Sequence, residues 1–128
     1  MLADCHLLGS LKYCHVLLHK NALVPWFILV PEVSATDLLE IPALQRNRIM
    51  EECAALAGFI KHHFYSTKIN FAAIGNLVPQ LHLHIIGRSV ADACWPKPVW
   101  GNLESDKTYS DSETDLLRRE LRITYNMN

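Results

Sequence analysis

Residues Pro79 to Arg88 read Pro-Gln-Leu-His-Leu-His-Ile-Ile-Gly-Arg. On a strand successive side chains point to opposite faces, so Gln80, His82 and His84 share one face while Leu81, Leu83 and Ile85 cover the other. Alternate side chains stand roughly 6.5 to 7 Å apart along a strand, which lets two imidazoles and an amide converge on one small group such as a phosphate. An imidazole near its ordinary pKa of about 6.5 can act as nucleophile, proton carrier or metal ligand. Spacing alone leaves three readings open. In one, His82 attacks the α-phosphorus of a nucleotide ester, anhydride or phosphoramidate and forms a nucleotidyl-histidine that water then opens. That route needs one ring nitrogen free and the other held by an acceptor, which a backbone carbonyl can supply. In another, His82 and His84 ligate a metal together with a third ligand, for which His15 and His19 are candidates. In the last, the row is a hydrogen-bonded polar stripe with no chemistry.

The remaining elements must hold this row in place. Tyr13 to Lys20 and Pro25 to Pro31 are short apolar runs separated by Asn21-Ala22, the pattern of an antiparallel hairpin. Pro31 cannot continue a central ladder and ends the second strand. Between Pro42 and Phe64, Ile49, Cys53, Leu56, Ile60 and Phe64 recur at steps of three and four, which predicts an amphipathic helix long enough to cross a sheet. Lys61, His62 and His63 suit its C-terminal turn as partners for unpaired carbonyls. Lys68 to Ile74, the Gly75-Asn76 turn and the histidine segment predict a second hairpin. Cys94 to Gly101, with its two X-Pro bonds, reads as an irregular arm pinned by its tryptophans. Ser110 with Glu113 makes a capping box ahead of Leu116, Leu117 and Leu121, predicting a C-terminal helix. The order of elements is α+β: an antiparallel sheet of about five strands with a long helix and a C-terminal helix, in one domain spanning residues 1–128.

Composition narrows the function classes. With 50% hydrophobic and 20% charged residues in 128, the chain can bury a substantial core. A formal net charge of −1 provides no basic field for a nucleic-acid polymer. A phosphate-bearing ligand would therefore be small and held by local donors. Cys5, Cys14, Cys53 and Cys94 form no Cys-x-x-Cys pair and read as reduced cytoplasmic thiols. The pairs Cys5-His6 and Cys14-His15 match no common zinc module. No apolar run approaches the length of a membrane span, and neither Gly-x-Gly-x-x-Gly nor a phosphate loop ending in Gly-Lys-Ser/Thr occurs.

The segment Gly75-Asn76-Leu77-Val78-Pro79-Gln80-Leu81-His82-Leu83-His84-Ile85-Ile86 resembles, without a gap, the signature of the histidine triad (HIT) superfamily. There a Gly-Gln-Ser/Thr-Val run precedes His-x-His-x-His. The resemblance extends more loosely over residues 13–101, and Trp-Pro-x-Pro-Val-Trp-Gly is similar to a bacterial subgroup. It implies the HIT-like fold and a nucleotide hydrolase or nucleotidyl transferase, commonly a homodimer joined edge to edge, acting without metal or other cofactor on a small nucleotide. By position it makes His82 the nucleophile, His84 the phosphate-contacting histidine and Asn76 the phosphate-holding amide, with Asn21 and Asn70 near nucleotide-contacting positions. Gln80 stands in the first histidine's place and Leu77 in that of the serine or threonine. Trp26 stands where a second-strand histidine often lies, and could fill space near a base or in the core, of which core packing is the favoured reading. An amide can position a substrate but cannot carry a proton at neutral pH. A non-catalytic nucleotide-binding protein is the alternative these departures leave open.

Overall fold

A computed structural model describes residues 2–128. Five strands, β1 (Cys5–Ser10), β2 (Cys14–His19), β3 (Trp26–Pro31), β4 (Lys68–Ala72) and β5 (Leu83–Arg88), form one antiparallel sheet in the order β1-β2-β3-β5-β4. The helix α1 (Ala43–Phe64) lies across one face, and α2 (Asp111–Tyr125) packs beside β1. This is the expected α+β architecture.

The inner face owes its core to local pattern. Strand alternation sends Val16, Leu18, Phe27, Leu29, Leu83 and Ile85 toward α1, which meets them with Ile49, Cys53, Leu56, Phe59 and Ile60. Gly87 lets β5 approach closely here, because a Cβ would strike Ile60, Pro25 and Ser66. Lys61, His62 and His63 occupy the last turn of α1 as expected, and His63 also stacks on Phe59 with ring centroids 5.3 Å apart. The Ser110–Glu113 capping box opens α2 with both reciprocal bonds formed, and Leu117 and Leu121 seat it on the core.

The outer face carries Cys5, Leu17, Trp26, Ile28 and Ile86, covered in part by an irregular arm through Cys94 and Val99. Arg88 fastens that arm. Its buried guanidinium bonds Asp92 at 2.7 Å, Asn70 Oδ1 at 2.9 Å and the Lys97 carbonyl at 2.8 Å. The four thiols are free and buried. Burial and the neighbouring Glu52 push Cys53 up to about 12, so it keeps its proton.

The structure differs from the sequence reading in two elements. The first is β1, which no strand expectation covered. It is short, bulged between Leu7 and Gly9, and closed against the C-terminus by the Ser10–Asn128 backbone bonds. The second is the histidine strand, which enters the ladder only at Leu83, where β3 pairs Leu29 with it. Residues 73–82 instead form a loop that Gly75 begins in the left-handed region, at φ 61°.

Candidate functional site

Where the loop runs into β5, the outer face opens into a cleft of about 510 Å³, within the size range of small-molecule sites. Its floor comes from Cys5, His19, Trp26 and Ile28 on the strands. Its wall is the loop 74–78, and Trp100 of the arm closes one side. Both His82 and His84 line it and are otherwise buried, at 9% and 6% exposure. Their ring centroids lie 5.1 Å apart.

The two rings are held in opposite proton arrangements. His82 Nδ1 lies 2.7 Å from the backbone carbonyl of Gln80. A carbonyl only accepts, so Nδ1 carries a proton and, in the neutral ring, Nε2 is the nitrogen with the free lone pair. His84 has the reverse tautomer. The Trp26 indole N–H donates to its Nδ1 at 3.0 Å, and an indole nitrogen only donates, so His84 keeps its proton on Nε2. Burial, followed by the neighbouring His82 and His19, lowers His84 to about 4 and keeps it neutral at physiological pH. No buried polar side-chain atom among the described residues lacks a partner. The unbonded Nε2 atoms of both rings are therefore open to the cleft. One offers an electron pair and the other an N–H.

Aromatic packing sets these orientations. His19 stacks on Trp26 with ring centroids 4.2 Å apart and planes within 9°. Trp100 stands edge-on to both His84, at 4.9 Å, and Trp26, at 5.5 Å. The Asn21 backbone N–H donates to His19 Nδ1 at 3.1 Å, so His19 too presents Nε2. Burial lowers its pKa, with Asp4 pulling the other way.

Only some of the residues singled out from sequence gather here. Asn76 lines the cleft beside His82. The Gln80 side chain turns out of the histidine row toward the Pro31 carbonyl at 3.3 Å and borders a separate groove with Leu7, His15 and Val30. Alternation put it on the histidine face, but the chain leaves the ladder before reaching it; its backbone carbonyl is what meets His82. Asn21 spends its amide on the arm, donating to the Ser105 carbonyl and accepting from Lys107 and Leu23 N–H groups. Asn70 accepts from Arg88. Leu77 is 97% exposed. Sequence reasoning weighed His19 only as a metal ligand; Trp26 is core packing as expected, and it lines the cleft as well. The outward parity of Leu17 and His19 on β2 was the available signal for His19. Among the described residues no three His, Cys, Asp or Glu side chains come together as a cation site.

Comparisons with known proteins extend these observations. A family model for the HIT domain matches residues 2–90. A histidine triad protein from Marinobacter aquaeolei VT8 is 39% identical, with a TM-score of 0.86 over 97% of this chain and 90% of that one. A histidine triad protein from Bradyrhizobium japonicum is 35% identical, with a TM-score of 0.87 over 96% and 92%. One from Sinorhizobium meliloti 1021 is 30% identical, with a TM-score of 0.86 over 94% and 90%. No curated protein matches the chain.

Proposed function

The chain belongs to the histidine triad family, and from that premise we propose that it is a nucleotide hydrolase or nucleotidyl transferase working through a covalent nucleotidyl-histidine on His82. Family membership supports nucleotide-directed hydrolase or transferase chemistry in general. The observation that carries the finer reading is the 2.7 Å bond from His82 Nδ1 to the Gln80 carbonyl. It fixes the tautomer in which Nε2 is the attacking nitrogen of the neutral ring and stabilises the positive charge the ring acquires on bonding phosphorus.

In the first step the Nε2 lone pair of His82 forms a bond to the α-phosphorus. The bond from phosphorus to the leaving group breaks, and that group departs with the electron pair. The His84 Nε2–H donates to a non-bridging oxygen, and Asn76 supplies a further amide N–H from the loop. Donors aimed where charge accumulates lower the barrier most when water is excluded. In the second step water, or another acceptor hydroxyl, forms the new bond to phosphorus. The P–N bond breaks toward His82, and the acceptor's proton goes to solvent. Gln80 takes part through its carbonyl. Asn21 and Asn70 act on the frame, holding the arm and Arg88, and would reach substrate only by releasing those partners.

Among the described residues the β4 edge carries no neighbouring strand, and Phe71 on it is 42% exposed. An unpaired edge of this kind suits pairing with a second copy, and a homodimer is checked by sedimentation at micromolar concentration. Four free thiols accord with a cytoplasmic setting. Among the described residues no helix is long and apolar enough to cross a membrane.

The test is a panel of dinucleoside polyphosphates and nucleoside phosphoramidates, read by mass spectrometry. A nucleotidyl mass on the His82 peptide, absent in His82→Ala, supports the reading. AMP binding with no adduct and no product across the panel makes the cleft a binding site instead. Leu77, which offers phosphate no hydroxyl, is the residue that favours this second outcome.

A further inference from the structure

His84 cannot change its proton arrangement without breaking a buried hydrogen bond. Its Nδ1 is capped at 3.0 Å by an indole that has nothing but a proton to give, and Trp26 is itself fixed between His19 and Trp100. Protonating Nδ1 would set two N–H groups against each other in a buried contact. We propose that Trp26 is a positioning residue that keeps His84 a neutral Nε2–H donor, leaving the cleft with no acid for a departing group. The site then selects leaving groups that depart as anions, such as the phosphates of a nucleotide anhydride, over basic amines. This inference rests on the His82 mechanism and names the substrate class that mechanism serves.

Among the described residues the rest of the cleft supplies no substitute acid. His19 has its Nδ1 occupied by the Asn21 N–H, and burial favours its neutral form. Cys5 is a thiol that burial pushes up. Asp4 stands exposed at the mouth and Asn76 is an amide. The Gln80 side chain lies outside, and Leu77 has no hydroxyl. Arg88, further along the same face of β5, is saturated by Asp92, Asn70 and the Lys97 carbonyl. When His82 attacks, its own proton stays on Nδ1, donated to the Gln80 carbonyl, and is not passed to the leaving group.

The consequence differs with the bond being broken. A phosphate leaving an anhydride accepts the electron pair and is stable as released. An alkylamine leaving a phosphoramidate would depart as a strongly basic amide anion unless a proton reached its nitrogen during cleavage. Positioned acids contribute about 10² to 10⁴-fold to such steps, so their absence selects by bond type.

Two measurements on the wild-type protein test this. The first compares kcat/KM at pH 7 for diadenosine tetraphosphate and for adenosine 5′-phosphoro-n-propylamidate, with the His82 adduct followed by mass spectrometry. The expected ratio favours the anhydride by about 100-fold or more. The second is site-resolved 15N NMR of His84. It should show a protonated Nε2 and a bare Nδ1, unchanged from pH 8 to 5, whereas in Trp26→Phe the same ring titrates within that range. The inference is overturned if the amidate is cleaved as fast as the anhydride through the His82 adduct, which leaves the mechanism standing. A wild-type His84 proton on Nδ1, or wild-type titration above pH 5, overturns it as well. Failure of both substrates to form an adduct removes the mechanism, and the inference with it.

Discussion

His82 and His84 are two residues apart, yet they belong to different regions of the molecule. His84 sits inside the ladder, paired across β5 with Ile28 and Ala72 and capped by an indole from the neighbouring strand. His82 sits at the end of the loop 73–82, held by a bond to a carbonyl two residues back. The ladder residue is fixed by long-range pairing and cannot easily alter its proton arrangement. The loop residue is fixed only locally, and its outward nitrogen stays free. A nucleophile that must bond, turn positive and release again suits the loop, while an unchanging donor suits the sheet. The same segment thus separates the group that reacts from the group that holds.

The largest break in this comparison comes from the loop side. His82→Ala should abolish the adduct and lower turnover by about 10⁴-fold or more, with the unfolding midpoint little changed because the ring lies outside the ladder. A comparable loss of stability would place His82 among the structural residues instead. On the sheet side, Asp92→Ala leaves the Arg88 guanidinium, 1% exposed, without its charge partner. Breaking such a pair costs about 3 to 5 kcal/mol. Urea unfolding should show that loss, together with freer tryptophan fluorescence from the arm.

A pH series separates the two histidines next. Folding depresses His84 from 6.5 to about 4, so between those values the unfolded chain binds a proton that the folded chain refuses. Stability tied to neutral His84 is therefore complete above pH 6.5 and is lost as pH falls toward 4, by about 3 kcal/mol at most. His84→Gln should flatten the unfolding free energy across that window, and an unchanged slope would contradict the assignment. The smallest effect belongs to the loop again. Leu77→Ser restores a hydroxyl beside the cleft, and one charge-assisted hydrogen bond should raise kcat/KM about tenfold. No change would show that residue 77 points away from bound phosphate.

Much of this was legible in the chain because it is written in local periods. The Tyr13–Pro31 hairpin, the helix from Pro42 to Phe64 and the Ser110 cap each depend on neighbours within a few residues, and each is present. Alternation also sent Leu81, Leu83 and Ile85 inward and set both histidines against the cleft. It failed at Gln80, because parity holds only while the ladder lasts and nothing in the local pattern marks where β3 ceases to be a partner. The strand β1 escaped notice because a six-residue bulged edge has too little period to detect. The link from Trp26 to His84 escaped for a different reason. It joins residues 58 apart, and only the pairing of Trp26 with Ile86 brings them into reach. The frame is written locally, whereas the proton arrangement of the site depends on which strands become neighbours.

The most direct test of the central claim is intact-protein and peptide mass spectrometry after rapid acid-free quenching with a dinucleoside polyphosphate. A single nucleotidyl group on His82 is the predicted result, formed and lost at rates that account for turnover. Product formation with His82 unmodified throughout, or with His82→Ala still active, would contradict the account.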